Sequence, residues 1–228
     1  MAKDLYGITS NRKTGGTIVN LIKLFETQAT LDEHIMQEHP ELRNQDNLDW
    51  KILALQVELA ECANEWRGFK KWSKDQEPRV WHVNIKDQCD ECKGFGYFDK
   101  HKDIKDWIFC KPCDGIGYHF HNPLLEEYVD CLHFILSIGL EIGYTNFSVE
   151  KMNAYLALIS EEERNDLTGH FIAINYITSC IFEDEHHYET ALYEILDLGN
   201  RLGFTWDQIE DAYYAKNKVN HERQKAGY

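Results

Sequence analysis

Apolar residues recur at helical spacing along most of this chain. Between Thr17 and Gln37 they fall at Ile18, Leu21, Ile22, Leu24, Phe25, Leu31 and Ile35, which predicts a first helix. Trp50–Trp72 predicts a second. Asn122-Pro123 supplies an N-cap and first helical residue, and opens a third that runs to about Gly139. Ser148 can cap a fourth. Ser160-x-x-Glu163 is a capping box for a fifth, running towards Phe182. His187–Leu202 makes a sixth, with Gly203 as its stop, and Thr205-x-x-Gln208 opens a last helix to about Lys225. From about Pro78 to Asn122 the helical period fails, and four cysteines and four glycines appear instead. The pattern predicts one all-α domain, a helical bundle over residues 1–228, with residues 80–121 as a small insertion.

Two acidic pairs interrupt this apolar pattern. Glu58-x-x-Glu61 lies among Leu53, Leu55, Val57, Leu59, Ala60 and Ala63. Glu127-x-x-Asp130 lies among Tyr128, Val129, Cys131, Leu132, Phe134, Ile135 and Leu136. A spacing of three puts each pair on one helix face. A single such pair reads as a solvated face. Two on apolar helices would gather four negative charges if those faces pack together, and like charges are buried only beside a neutralising cation. Hard oxygen ligands on rigid helices suit Mg²⁺, and Mg²⁺ suits phosphate substrates.

The irregular segment repeats one motif: Cys89-x-x-Cys92-x-Gly94-x-Gly96 and Cys110-x-x-Cys113-x-Gly115-x-Gly117. Two C-x-x-C turns can supply four thiolates to one zinc ion in a closed, structural tetrahedron. Free thiols or two disulfides are the other readings. Each unit resembles the repeat of the cysteine-rich domain of DnaJ-type chaperones, over about 30 residues and with two repeats, which implies a zinc knuckle and not chaperone activity. Cys62, Cys131 and Cys180 read as small core residues. Phe95, Tyr97, Trp107, Phe109 and Tyr118 either form the knuckle's own small core or offer a surface to a protein partner.

The last predicted helix carries Lys216, Asn220 and Arg223 at spacings of four and three. Such a cationic stripe fits phosphate oxygens, and it equally fits a solvated helix end. The net charge of −15 argues against non-specific DNA or anionic membrane binding, without excluding a nucleotide in one cleft. No segment approaches the roughly 20 apolar residues of a membrane span. Met1–Ser10 has no apolar run, so with seven cysteines a reduced, cytoplasmic setting is expected.

These motifs resemble one family over most of the chain outside the cysteine insertion. Gln56-Val-Glu58-Leu-Ala-Glu61-Cys-Ala-Asn64-Glu-Trp-Arg-Gly-Phe69-Lys70-Lys-Trp72-Ser resembles the first metal motif of the dimeric all-α dUTPases, within the all-α NTP pyrophosphatase superfamily. Glu126-Glu127-Tyr-Val-Asp130-Cys-Leu-His-Phe is similar to the second, and Lys216-Asn217-Lys-Val-Asn220-His-Glu-Arg223-Gln224 to the C-terminal phosphate motif. The resemblance implies a homodimer that uses Mg²⁺ to hydrolyse dUTP, and often dUDP, with dUTP yielding dUMP and pyrophosphate. It implies that Glu58, Glu61, Glu127 and Asp130 hold Mg²⁺, with a carboxylate of the first pair, Glu61 ahead of Glu58, orienting the water and taking its proton. Lys216, Asn220 and Arg223 would bind phosphates, while Gln28, Asn64 and Trp72 are candidates to grip base and deoxyribose. The knuckle departs from the family pattern. A pyrophosphatase preferring dCTP or a damaged nucleotide shares the same phosphate chemistry, and a regulatory protein whose knuckle recruits a partner is the reading from a different class.

Overall fold

The computed structural model describes residues 14–99, 107–113, 115–144, 147–159 and 165–227. Seven α-helices lie among them: α1 (Thr14–Glu38), α2 (Leu48–Trp66), α3 (Pro123–Glu141), α4 (Val149–Ala157), α5 (Leu167–Ser179), α6 (Glu185–Arg201) and α7 (Trp206–Lys225). Between α2 and α3 stand four short strands: β1 (His82–Gln88), β2 (Tyr97–Asp99), β3 (Ile108–Phe109) and β4 (Tyr118–His121). The chain is all-α apart from this cysteine segment.

The helix α3 is the centre of the bundle. Its buried residues include Leu124, Tyr128, Val129, Leu132, His133, Ile135, Leu136 and Ile138, which between them face every direction around the axis. A helix apolar all round must be covered all round. The neighbours α2, α1, α6 and α7 do so, while α5 packs on α2 and α6, and α4 packs on α6.

Two tyrosines fix α3 against α6 reciprocally. Tyr128 of α3 donates its hydroxyl to Ile195 O of α6 at 3.2 Å, and Tyr188 of α6 donates to Ile135 O of α3 at 3.1 Å. Four residues beyond each acceptor stands a glycine, Gly199 and Gly139. A Cβ on Gly199 would meet Tyr128 Oη at 2.4 Å, and one on Gly139 would meet Tyr188 Oη at 2.1 Å. Each glycine clears the space through which the opposite tyrosine reaches the backbone.

Local signals placed several helix starts. Asn122, Ser148 and Thr205 each accept a hydrogen bond from the first turn of their helix, and Thr205 with Gln208 completes a capping box. Three expectations need correction. The second helix ends at Trp66, six residues before Trp72. Arg67 there adopts φ +66°, and its side chain turns onto Asp75, at 2.9 Å from the carbonyl and 3.0 Å from the carboxylate. The fifth helix starts at Leu167 with Asp166 as its cap and ends at Ser179. The Ser160-x-x-Glu163 box lies outside the described residues. The sixth begins two residues early, at Glu185, because Asp184 accepts from His186 N–H.

The cysteine segment is two antiparallel ladders. β1 pairs with β4 as a stem, with His82 opposite His121, and β2 pairs with β3, with Tyr97 opposite Phe109. No described helix is long and apolar enough to cross a membrane.

Candidate metal and phosphate site

The antiparallel packing of α2 on α3 gathers three carboxylates. Oxygens of Glu58, Glu127 and Asp130 all lie within 4.8 Å of one another, each on a half-buried residue. Glu61 is one helical turn beyond Glu58, exposed, and outside this triad.

Burial, and then crowding, raises the proton affinity of the group. Burial, then the charges of Asp130 and Glu61, push Glu58 up to about 7. Burial, then Asp130, Glu61, Glu58 and Glu126, push Glu127 up to about 7. Burial also raises Asp130, against a hydrogen bond from Lys216 and the charge of Arg223. Three acidic side chains that resist ionising together fit a divalent cation, which would remove their mutual repulsion.

The last helix supplies the opposing charge. Lys216 Nζ donates to Asp130 Oδ2 at 2.6 Å and to Glu126 Oε1 at 3.2 Å. Burial alone would lower the Lys216 pKa, but the two carboxylates outweigh it and hold the ammonium more firmly protonated than usual. Burial pushes Glu126 up, yet Lys216 and His121 bring it below the ordinary range. Arg223 is exposed and Asn220 half-buried further along α7. Arg223 is close enough to favour the charged forms of Glu58 and Asp130. Asn217, one residue after Lys216, is buried with its Nδ2 unpartnered.

The loop after α2 borders the same helix end. Lys70 Nζ donates to Asn64 Oδ1, and the Phe69 and Trp72 rings meet edge to face at 5.7 Å. Trp72 is 78% exposed. Gln28 lies inside the bundle. It is 3% exposed, and its amide is taken up by Asp32 at 2.7 Å, Tyr213 at 2.7 Å and His133 at 2.8 Å. These bonds belong to a polar seam that continues through Ser137 to Asp32 at 2.7 Å, and from Lys51 to Glu141 at 2.7 Å. Glu126 as a partner of Lys216 is the contact that sequence spacing missed. Its signal was the doubled acid Glu126-Glu127 at the second motif.

The four cysteines form a second, separate cluster. Their sulfurs lie within 4.8 Å of one another, all buried, with Cys89–Cys110 at 3.7 Å and Cys92–Cys113 at 3.6 Å. No disulfide joins any of the seven cysteines. A tetrahedron with metal–sulfur bonds of about 2.3 Å has edges of about 3.8 Å, so the spacing fits a four-thiolate ion such as zinc. Gly96 N–H and Gly117 N–H donate to Cys92 and Cys113 Sγ, both at 3.2 Å. The two halves also exchange backbone bonds, Cys89 N–H to Gly117 O and Cys110 N–H to Gly96 O, both at 2.9 Å. With φ of +77° and +89°, Gly96 and Gly117 let the strands cross so closely that a Cβ on either would meet the opposing backbone at 2.2 Å.

The all-α bundle thus gathers three carboxylates between two antiparallel helices, with a lysine from the last helix on their edge. The family model described as dUTPase matches residues 20–92 and 119–228, and the chain belongs to that family. The matched stretches leave out residues 93–118, which include Cys110 and Cys113. No curated protein matches the chain.

Proposed function

We propose that this protein is a Mg²⁺-dependent dUTP diphosphatase that yields dUMP and pyrophosphate, and also accepts dUDP. The observation that carries the reading is the convergence of Glu58, Glu127 and Asp130 beside Lys216 in a chain of the dUTPase family. In this reading the triad holds Mg²⁺, which when bound neutralises phosphate charge and makes water more acidic. Glu61 stands exposed at the margin of the triad, where a carboxylate is free to accept a proton from water instead of being spent as a central ligand. Lys216, Asn220 and Arg223 bind the phosphates and stabilise developing charge. Gln28, Asn64 and Trp72 are the candidates to grip the base and deoxyribose. The active form in this reading is a homodimer, and the four cysteines hold structural zinc.

A pyrophosphatase preferring dCTP or a modified nucleotide would use the same phosphate machinery. Discrimination between uracil and cytosine needs a polar group that reads O4 and N3, and a site built around such hydrogen bonds rejects mismatched analogues by orders of magnitude. The test is product analysis on dUTP, dCTP, dTTP and UTP under equal conditions with Mg²⁺. The expected result is dUMP and pyrophosphate, with dUTP far ahead. Equal rates on dCTP would refute the uracil assignment, and orthophosphate release without pyrophosphate would refute the reaction class. A partner-binding role for the cysteine segment is favoured by the exposure of Phe95, Phe98, Ile108 and Phe109, and it is compatible with hydrolysis.

A further inference from the structure

Lys216 has two carboxylate partners of different kinds. Asp130, at 2.6 Å, belongs to the acidic triad. Glu126, at 3.2 Å, does not. Glu126 lies one turn earlier on α3, half open to solvent, and divides its two oxygens. Oε1 accepts from Lys216, and Oε2 faces His121 Nδ1 at 3.4 Å, at the end of the β4 stem. A lysine stem with four rotatable carbons is held poorly by one contact. Any claim on Asp130 by a cation would weaken that contact further. Glu126 keeps hold of the ammonium without calling on the triad.

We infer that Glu126 is a positioning residue, which holds Lys216 at the edge of the triad and aims it at the phosphates of the ligand, with His121 steadying Glu126 from the stem of the cysteine segment. The inference rests on the phosphate-binding reading of Lys216. It makes a prediction of sign that plain electrostatics reverses. A carboxylate beside a polyphosphate repels it, so as mere charge its removal would tighten anion binding. As a positioning group its removal frees Lys216 and weakens anion binding.

The experiment is a calorimetric titration with inorganic pyrophosphate in Mg²⁺, on the whole protein and on Glu126→Gln, Lys216→Met and the double variant. Loss of one charge-assisted hydrogen bond predicts affinity about tenfold weaker in Glu126→Gln. kcat/KM for dUTP should fall in parallel, and the melting temperature should hold because Glu126 is at the surface. Acting only through Lys216, Glu126→Gln should add nothing further to Lys216→Met. His121→Gln should shift affinity the same way by less. Unchanged or tighter pyrophosphate binding in Glu126→Gln, or additive losses in the double variant, would overturn the inference. Wild-type protein whose pyrophosphate affinity ignores Lys216→Met would overturn the phosphate-binding reading beneath it as well.

Discussion

The phenol oxygen of Tyr128 lies 2.4 Å from where a methyl group on Gly199 would sit, and its ring carbon Cζ lies 2.5 Å away. The contact leaves no room for a side chain in the last turn of α6. Alanine normally stabilises a helix interior by up to about 1 kcal/mol over glycine. Here the obstructing atoms belong to a fully buried ring, and overpacking of about 1–3 kcal/mol outweighs that gain. Gly199→Ala should therefore lower unfolding free energy in urea. A gain in stability would show that Tyr128 can move aside.

The acidic triad gives the Mg²⁺-free protein an unusual pH dependence. Glu58 and Glu127 titrate near 7 in the fold and near 4.5 outside it. Carboxyls raised on folding contribute stability at low pH that is lost as pH rises through the folded value. Each contributes at most about 1.4 kcal/mol per pH unit, reduced by solvent screening at these half-open positions. The melting temperature without Mg²⁺ should fall between about pH 4.5 and pH 7, the unfolded and folded values, and added Mg²⁺ should flatten the decline. A melting temperature that rises over this interval would contradict the crowding of the triad.

Glu61→Gln keeps size and removes basicity. Turnover of dUTP should fall by about 10²-fold or more, the scale of a lost general base. The fold should survive, because the Glu61 charge is among those that raise Glu58 and Glu127. Steady-state kinetics together with a thermal melt checks both. Turnover within a few-fold of wild type would remove Glu61 from the chemistry.

Protein purified without added metal should contain about one zinc ion per chain, as a closed four-thiolate site requires. Cys113→Ser should lose the zinc and unfold the cysteine segment while the helical body keeps its main thermal transition, since structural zinc supplies local folding energy. Elemental analysis and circular dichroism measure the two effects. Zinc well below one per chain in native protein would dismiss the site.

The legible parts of this molecule were those governed by neighbours in sequence. The caps at Asn122, Ser148 and Thr205 need only a side chain and the amide three residues on, so their letters predicted them. The triad was foreseeable because Glu58, Glu127 and Asp130 break apolar helical stripes at one-turn spacing. The end of α2 was not, since Arg67 leaves the helix to grip Asp75, a contact that periodicity does not register. Gln28 reads as polar and therefore accessible, yet partners 105 and 185 residues away make it a core residue. Glu126 looked like one more acid beside Glu127 until α7 brought Lys216 to it from 90 residues downstream.

The cysteine segment leaves and rejoins the bundle at nearly one point. Arg79 N–H bonds Glu65 O at 3.0 Å, and Leu124 N–H bonds Arg79 O at 3.2 Å, so the end of α2, the outgoing strand and the start of α3 are stitched together. Chain length between such closed ends is thermodynamically cheap, with a doubling costing only about 0.6 kcal/mol. The bundle is for that reason a natural acceptor for grafts: a reporter domain, a binding module or a plain linker fitted between Arg79 and Asn122 would meet the same two backbone bonds and leave the cap of α3 in place.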